Sequence, residues 1–338
     1  MLFIDRVKYL PGVAYEVGRA ELMNSVIETR NLTKVYRTGR SETHALDSLD
    51  LTVREGEIFG YLGPNGAGKT TTIRLLLDLI RPTAGSARIL GLDVNADSVA
   101  LRQRVGYMPG ELNLWKNLTG LQVARYLGRV RGMTNLSYAH ALAERLQLDL
   151  TKRVRDYSSG NRRKLGLVIA LMHKPDLLIL DEPTGGLDPL MQQTFNQMMR
   201  EVRAEGRTVF LSSHVLSEVQ AICDRVGILR DGQLKAVETV ERMTHVDFRW
   251  VNVELRDPAT AALRERIASI PGVSSVEAEN HGLKLRLNGD FDPLLRALND
   301  VYVVNLRVES PSLEEIFLAF YGNNGAVPQQ AARAKEVV

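Results

Sequence analysis

The eight residues GPNGAGKT at 63–70 decide the fold. They match the pattern G-x-x-x-x-G-K-[ST], follow the apolar run Ile58–Leu62 and precede the apolar residues Ile73, Leu75, Leu76, Leu77 and Ile80. A strand, a glycine-rich loop and a helix in that order form a phosphate-binding loop. Gly63, Gly66 and Gly68 let successive backbone N–H groups converge on phosphate oxygens, with Pro64, Asn65 and Ala67 completing the loop. The helix opening at Thr70 and Thr71 turns the positive end of its dipole toward the same oxygens. In this frame Lys69 reaches the β- and γ-phosphates, and the Thr70 hydroxyl ligates Mg2+. The cofactors expected are ATP and Mg2+.

Working outward, residues 25–62 carry short strands at Val26–Thr29, Leu46–Val53 and Ile58–Leu62, and the helix after the loop is expected to run to Ile80, stopped by Pro82. Residues 101–172 form a mostly helical, amphipathic lobe with a break around Arg131-Gly132. The uninterrupted apolar runs Leu177–Leu180 and Thr208–Leu211 mark strands buried on both faces of a mainly parallel sheet. Helices are expected over 190–204 and 215–223, then a hairpin turning at Asp231-Gly232.

The first of those runs continues as LLILDEP at 177–183. Asp181 stands at the carboxyl end of a buried strand, where α/β sheets bind ligands, and is placed to hold the Mg2+ shell. Glu182, next to it, is placed to polarise an attacking water as general base. An acidic pair at a strand end is as often mere solvation; beside a phosphate-binding loop it points to nucleoside triphosphate hydrolysis.

Composition agrees with a two-domain globular protein of 338 residues: 44% hydrophobic residues suffice for a core. The net charge of +3, from 43 basic and 40 acidic residues, gives no ground for a nucleic-acid partner. The single Cys223, among Val219, Ile222 and Val226, excludes an intramolecular disulfide and reads as a buried apolar residue. No run approaches the ~20 apolar residues that span a bilayer, so a membrane role is expected to need separate subunits. Residues 1–24 are taken as an N-terminal extension without assigned function.

Further motifs narrow the superfamily. YSSGNRRKLGL at 157–167 resembles the signature motif of ABC-superfamily ATPases, and LDEPTGGLDP at 180–189 resembles their Walker B motif and D-loop. His214 in FLSSH resembles their switch histidine, and Tyr36 the aromatic residue that stacks on adenine. The resemblance covers about residues 25–240, with the motifs in order. It implies an α/β P-loop NTPase cassette over 25–243, with a mixed-sheet core, N-terminal antiparallel strands and a helical lobe at about 101–172. It also implies a head-to-tail homodimer: ATP lies between the P-loop of one copy and Ser158, Ser159, Gly160 and Asn161 of the other, with Asp188 across the interface. His214 would contact the γ-phosphate beside the catalytic Glu182 and Lys69.

Two positions depart from the family pattern. Ser159 replaces a glycine of the signature. In VGYMPGELNLW at 105–115, Gly110 stands where the family's Q-loop has Gln or Glu, a Mg2+ ligand and sensor of the membrane partner; Glu111 is expected to substitute.

Residues 246–310 read as strand, helix, strand, strand, helix and strand, a small α+β ferredoxin-like pattern. This accessory domain is placed at 246–321, with a capped helix opening at Pro311-Ser312 and a disordered tail at 322–338. PSLEEIF at 311–317 resembles the end of a domain found after the cassette in drug and antibiotic exporter ATPases. A packing or dimerisation module is expected there. The resemblance thus implies an ATPase subunit, peripheral on the cytoplasmic membrane face through separate permease subunits, that powers export. Gly110–Thr119, with Leu114 and Trp115, is the candidate docking surface. The alternative is a soluble ABC protein acting on the ribosome or nucleic acid, but such chains carry paired cassettes or long coiled coils.

Overall fold

The computed structural model describes residues 25–39, 41–244, 248–279 and 282–309. The expected N-terminal extension, the helix opening at Pro311 and the tail lie outside the described residues. The chain divides into two compact units, Met1–Val240 and Glu241–Val338.

In the first unit, β1 (Ser25–Thr38) and β2 (Ser41–Arg54) pair antiparallel, and β3 (Ile58–Leu62) leads into the phosphate loop. β4 (Ala84–Ile89) returns to β1 and carries the two-residue β5 (Leu92–Asp93), giving a sheet of order β2-β1-β4-β5. β6 (Val105–Met108), β7 (Leu177–Asp181), β8 (Thr208–Ser213), β9 (Arg225–Arg230) and β10 (Gln233–Thr239) join β3 in a second sheet, β10-β9-β3-β8-β7-β6. Only the β9–β10 hairpin in it is antiparallel. Its turn uses Asp231 at φ 51° and Gly232 at φ 74°, the left-handed pair that a two-residue hairpin turn requires.

Every residue of β7 and β8 is buried, which is why both read as unbroken apolar runs. Phe210 of β8 stacks on Phe59 at 5.9 Å and meets Tyr61 at 5.3 Å. The helix Lys69–Leu76 adds Ile73, Leu75 and Leu76 to the same core, with Leu49 and Leu51 of β2. Fully burying each such side chain contributes about 1.5–3 kcal/mol, so the loop between Phe59's strand and Ile73's helix is anchored at both ends.

Three local expectations need correction. The helix after the loop ends at Leu76, not Ile80, because Asp78 turns left-handed (φ 53°) and pairs with Arg81 and Arg102 before Pro82 is reached. The lobe expected to be mostly helical opens on the end of a helix, Ser98–Arg104, followed by a strand, β6, whose four residues are too short a period to detect. The strands β4 and β5 were not foreseen; their sequence around Gly85 and Ser86 carries little apolar alternation. After β6 the lobe's α-helices are Gly120–Val130, Ser137–Arg145 and Ser159–Leu171, the first opened by a Thr119–Gln122 capping box.

The second unit contains β11 (Phe248–Leu255), β12 (Val273–Glu279), β13 (Gly282–Asn288) and β14 (Val303–Glu309) in an antiparallel sheet of order β12-β13-β11-β14. With helices Ala261–Ala268 and Asp292–Ala297 between strands, this is the ferredoxin-like order the pattern implied. Val251, Val253, Leu255, Leu283, Leu285 and Leu287 form its core with Leu263, Ile267 and Leu294.

Candidate active site

Parallel register brings the three motif loops to one sheet edge. Leu62 pairs with Ser213 and Asp181 with Ser212, so the chain leaves β3, β7 and β8 side by side at Gly63, Glu182 and His214. Ligands of α/β sheets bind at that carboxyl edge.

The phosphate loop is shaped by backbone that only glycine tolerates. Gly68 has φ 109°, and a Cβ there would lie 2.4 Å from the Ala45 carbonyl. Gly66 has φ 84° with open space beside it, on the exposed side with Pro64 and Asn65. Ala67 packs inward, and its N–H closes onto the Pro64 carbonyl at 3.1 Å. Lys69 is only 6% exposed and donates to the carbonyls of Gly63 at 2.6 Å and Pro64 at 3.2 Å. Burying its ammonium is tolerable because these oxygens and Glu182 Oε1, at 3.4 Å, surround it.

Asp181 is buried and satisfied on both oxygens: Thr70 Oγ1 donates to Oδ2 at 2.9 Å and Ser212 Oγ to Oδ1 at 2.5 Å. Glu182 follows in the left-handed region at φ 50°, costly for a residue with a Cβ. Its N–H is held by both the carbonyl and the hydroxyl of Ser212, each at 3.2 Å, which fixes that turn. The turn aims its carboxylate at two partners. Oε2 lies 2.7 Å from His214 Nδ1, and Oε1 faces Lys69. Tyr107 lies in this environment; burial, with the Asp181 charge adding, pushes its hydroxyl up to about 12.

The structure therefore gathers Lys69, Thr70, Asp181, Glu182 and His214 into one contact network, with Thr71 next in the helix. It does not bring Ser158–Asn161 to the same point. Ser158 caps the helix Ser159–Leu171 by accepting from Asn161 N at 3.2 Å. Ser159 is exposed there, and Gly160 abuts the Gly186 carbonyl, 2.9 Å from where a Cβ would sit. Asp188 caps the helix Pro189–Ala204 through Met191 N at 3.0 Å and is exposed. Tyr36 lies on β1, 38% exposed, with Lys34 over its ring at 5.2 Å.

Gly110 sits against Asp181: a Cβ at that position would lie 3.3 Å from Oδ2. Glu111, the expected metal ligand, is exposed and lines a cavity of about 480 Å3 with Leu112, Lys116 and Arg162. Among the described residues no group of three or more His, Cys, Asp or Glu could hold a metal ion, so Glu111 does not complete a cluster with Asp181 and Glu182. Sequence reasoning passed over Ser212 and Arg163. The hydroxyl pair in FLSSH at a strand end was the available signal for the first; Arg163, inside a helix, gave none.

Known proteins share this organisation. Residues 46–185 match the family model described as ABC transporter, and residues 247–321 that of the ATP-binding protein DrrA1-3-like, C-terminal domain. The bacitracin transport ATP-binding protein BcrA of Enterococcus faecalis is 36% identical over 315 residues, spanning 90% of this chain and 99% of its own. The daunorubicin/doxorubicin resistance ATP-binding protein DrrA of Streptomyces peucetius is 34% identical over 313 residues, 88% of this chain and 92% of its own. A solved dimeric structure of MJ0796, a bacterial ABC transporter cassette, aligns with TM-score 0.59 and 25% identity over 63% of this chain and 98% of that one. The chain belongs to the ABC transporter family, as an ATPase. Within that family it resembles the ATP-binding subunits of drug and antibiotic exporters.

Proposed function

We propose that this chain powers a membrane exporter, of drugs or antibiotics, by hydrolysing ATP at the Lys69–Glu182–His214 site. The observation that carries the site assignment is the placement of Glu182 between Lys69 and His214, 3.4 Å and 2.7 Å away. Lys69 neutralises phosphate charge, Glu182 accepts the proton of the attacking water, and His214 orients Glu182 and stabilises charge on the γ-phosphate. The Thr70 hydroxyl and Asp181 carboxylate, 2.9 Å apart, are hard oxygen donors suited to Mg2+. With no third acid grouped there among the described residues, nucleotide oxygens and water would fill the remaining positions. Bound there, Mg2+ would neutralise the charge of the phosphates.

Two copies would act head to tail. The helix N-terminus with exposed Ser158 and Ser159 supports this, because the N–H groups of Ser159 and Gly160 in its first turn suit a γ-phosphate from another chain. Asp188 and the 61%-exposed Leu190 beside it offer contact surface. Tyr36 is assigned to the adenine, residues 63–71 to the phosphates, and Glu111 to the metal's outer surroundings. The cassette is assigned to 25–243 and the accessory domain to 246–321. No helix among the described residues is long and apolar enough to cross a membrane. A separate permease is the membrane partner, docking at Gly110–Thr119, where Trp115 is 50% exposed and meets Tyr126 edge-on at 5.2 Å.

The test is ATPase activity of the purified chain with its Glu182→Gln variant, and isolation from membranes with a multi-span partner. Loss of turnover in the variant and a membrane-bound partner are expected. Unchanged turnover would sink the site assignment; recovery only with ribosomes or nucleic acid would sink the exporter.

A further inference from the structure

Arg163 lies one turn into the helix Ser159–Leu171, which Ser158 caps. Its Nη1 donates to the Gly110 carbonyl at 2.6 Å and reaches that of Pro109 at 3.5 Å; its Nε donates to the Gly185 carbonyl at 3.1 Å. The two loops so joined leave the neighbouring strands β6 and β7. One is the loop whose Gly110 packs on Asp181; the other begins at Glu182. The guanidinium is half-buried, a cost offset by those carbonyls and by the charges of Asp181, Glu182 and Glu218. Gly185 makes room for it. A Cβ at Gly185 would lie 2.8 Å from Arg163 Nη2, and Gly110 presents only backbone to Asp181.

We propose that Arg163 is a positioning residue for ATP hydrolysis: one guanidinium clamps the Gly110 and Gly185 carbonyls and so sets Asp181 and Glu182 relative to the Ser158 helix. This rests on the assignment of Asp181 and Glu182 made above. The planar fork matters, since it donates to both loops at once, whereas a lysine ammonium reaches one loop at a time. Gly110 has no side chain of its own to fix it beside Asp181, and the clamp holds it through its carbonyl.

The test is steady-state ATPase of the full chain as Arg163→Ala, Arg163→Lys, Gly185→Ala and the double variant Arg163→Ala/Gly185→Ala, over a Mg2+ titration. We expect Arg163→Ala to lower kcat at least tenfold and to raise the Mg2+ needed for half-maximal rate, with KM for ATP within about threefold. Arg163→Lys should recover part of that loss. Gly185→Ala, by displacing the guanidinium, should reproduce the defect, yet add nothing in the Arg163→Ala background. Additive effects, or activity lost only in step with the folded fraction at unchanged Mg2+ dependence, would overturn the clamp. Glu182→Gln measured alongside separates the failures: if it stays active the site assignment fails, and if it is dead while Arg163→Ala is silent only the clamp fails.

Discussion

The Thr70 hydroxyl donates to Asp181 Oδ2 at 2.9 Å, joining the first helix after the phosphate loop to the end of β7 across 111 residues. Because Ser212 occupies Oδ1, this second oxygen is the one oriented toward the loop. Asp181→Asn keeps the shape but removes charge and one acceptor, and Thr70→Ala removes the other donor oxygen. Each is expected to weaken Mg2+-dependent ATP binding by on the order of 10–100-fold, by analogy with disturbed metal surroundings. Titration with ATP in the presence and absence of Mg2+ checks this: a loss equal under both conditions would mean that neither residue serves the metal.

The Glu182–His214 contact predicts a different kinetic signature. His214 Nδ1 meets Glu182 at 2.7 Å, while the imidazole itself is half-exposed and supports no core. His214→Ala should therefore leave the melting temperature nearly unchanged and ATP affinity within a few fold. Turnover should fall about 100-fold, the scale for losing one group that stabilises developing charge. A variant that loses ATP affinity rather than kcat would place the histidine in ground-state binding instead.

Both of these pairs were visible as motifs, but their mutual placement was not. GPNGAGKT and LLILDEP each show their chemistry locally, since the glycines and the acid pair stand at the ends of apolar runs. That Leu62 lies beside Ser213 and Asp181 beside Ser212 depends on strand order, which no local pattern encodes. Ser212 and Arg163 stayed hidden for the same reason: a hydroxyl and a helix arginine acquire meaning only from the loops they touch. β6 was lost inside a helical stretch because its four residues give the period-2 signal no room. By contrast the ferredoxin-like order of the second unit was legible, since β11 and β13 alternate cleanly between Val251, Val253, Leu255 and Leu283, Leu285, Leu287.

Gly68 links backbone geometry to affinity. It holds φ 109° as the cap of Lys69–Leu76, and its missing Cβ faces the Ala45 carbonyl at 2.4 Å. Gly68→Ala combines a strained dihedral, about 1–3 kcal/mol, with a clash against backbone of β2 that cannot swing aside. Gly66→Ala, strained at φ 84° but meeting nothing within 4 Å, carries only the first cost. Gly68→Ala should lower both the melting temperature and ATP binding further than Gly66→Ala. Equal losses in calorimetry and nucleotide titration would show that the contact with Ala45 does not matter.

Acid sensitivity should come partly from His173, far from this loop in sequence. Its Nε2 faces the Val105 carbonyl at 3.3 Å, and its buried Nδ1 has no partner among the described residues. Burial first, then the charges of Arg131 and Arg207, lower its pKa from 6.5 to about 4. The folded ring thus stays neutral over a range in which the unfolded chain takes up a proton. The sign follows: stability is fully present above about pH 6.5, falls as pH drops through that value, and the loss is complete near pH 4. In His173→Asn the unfolded state gains no proton at this position, so its melting temperature should fall less between pH 7 and pH 5 than that of the native chain. Parallel declines in the two proteins would show that other groups carry the acid transition.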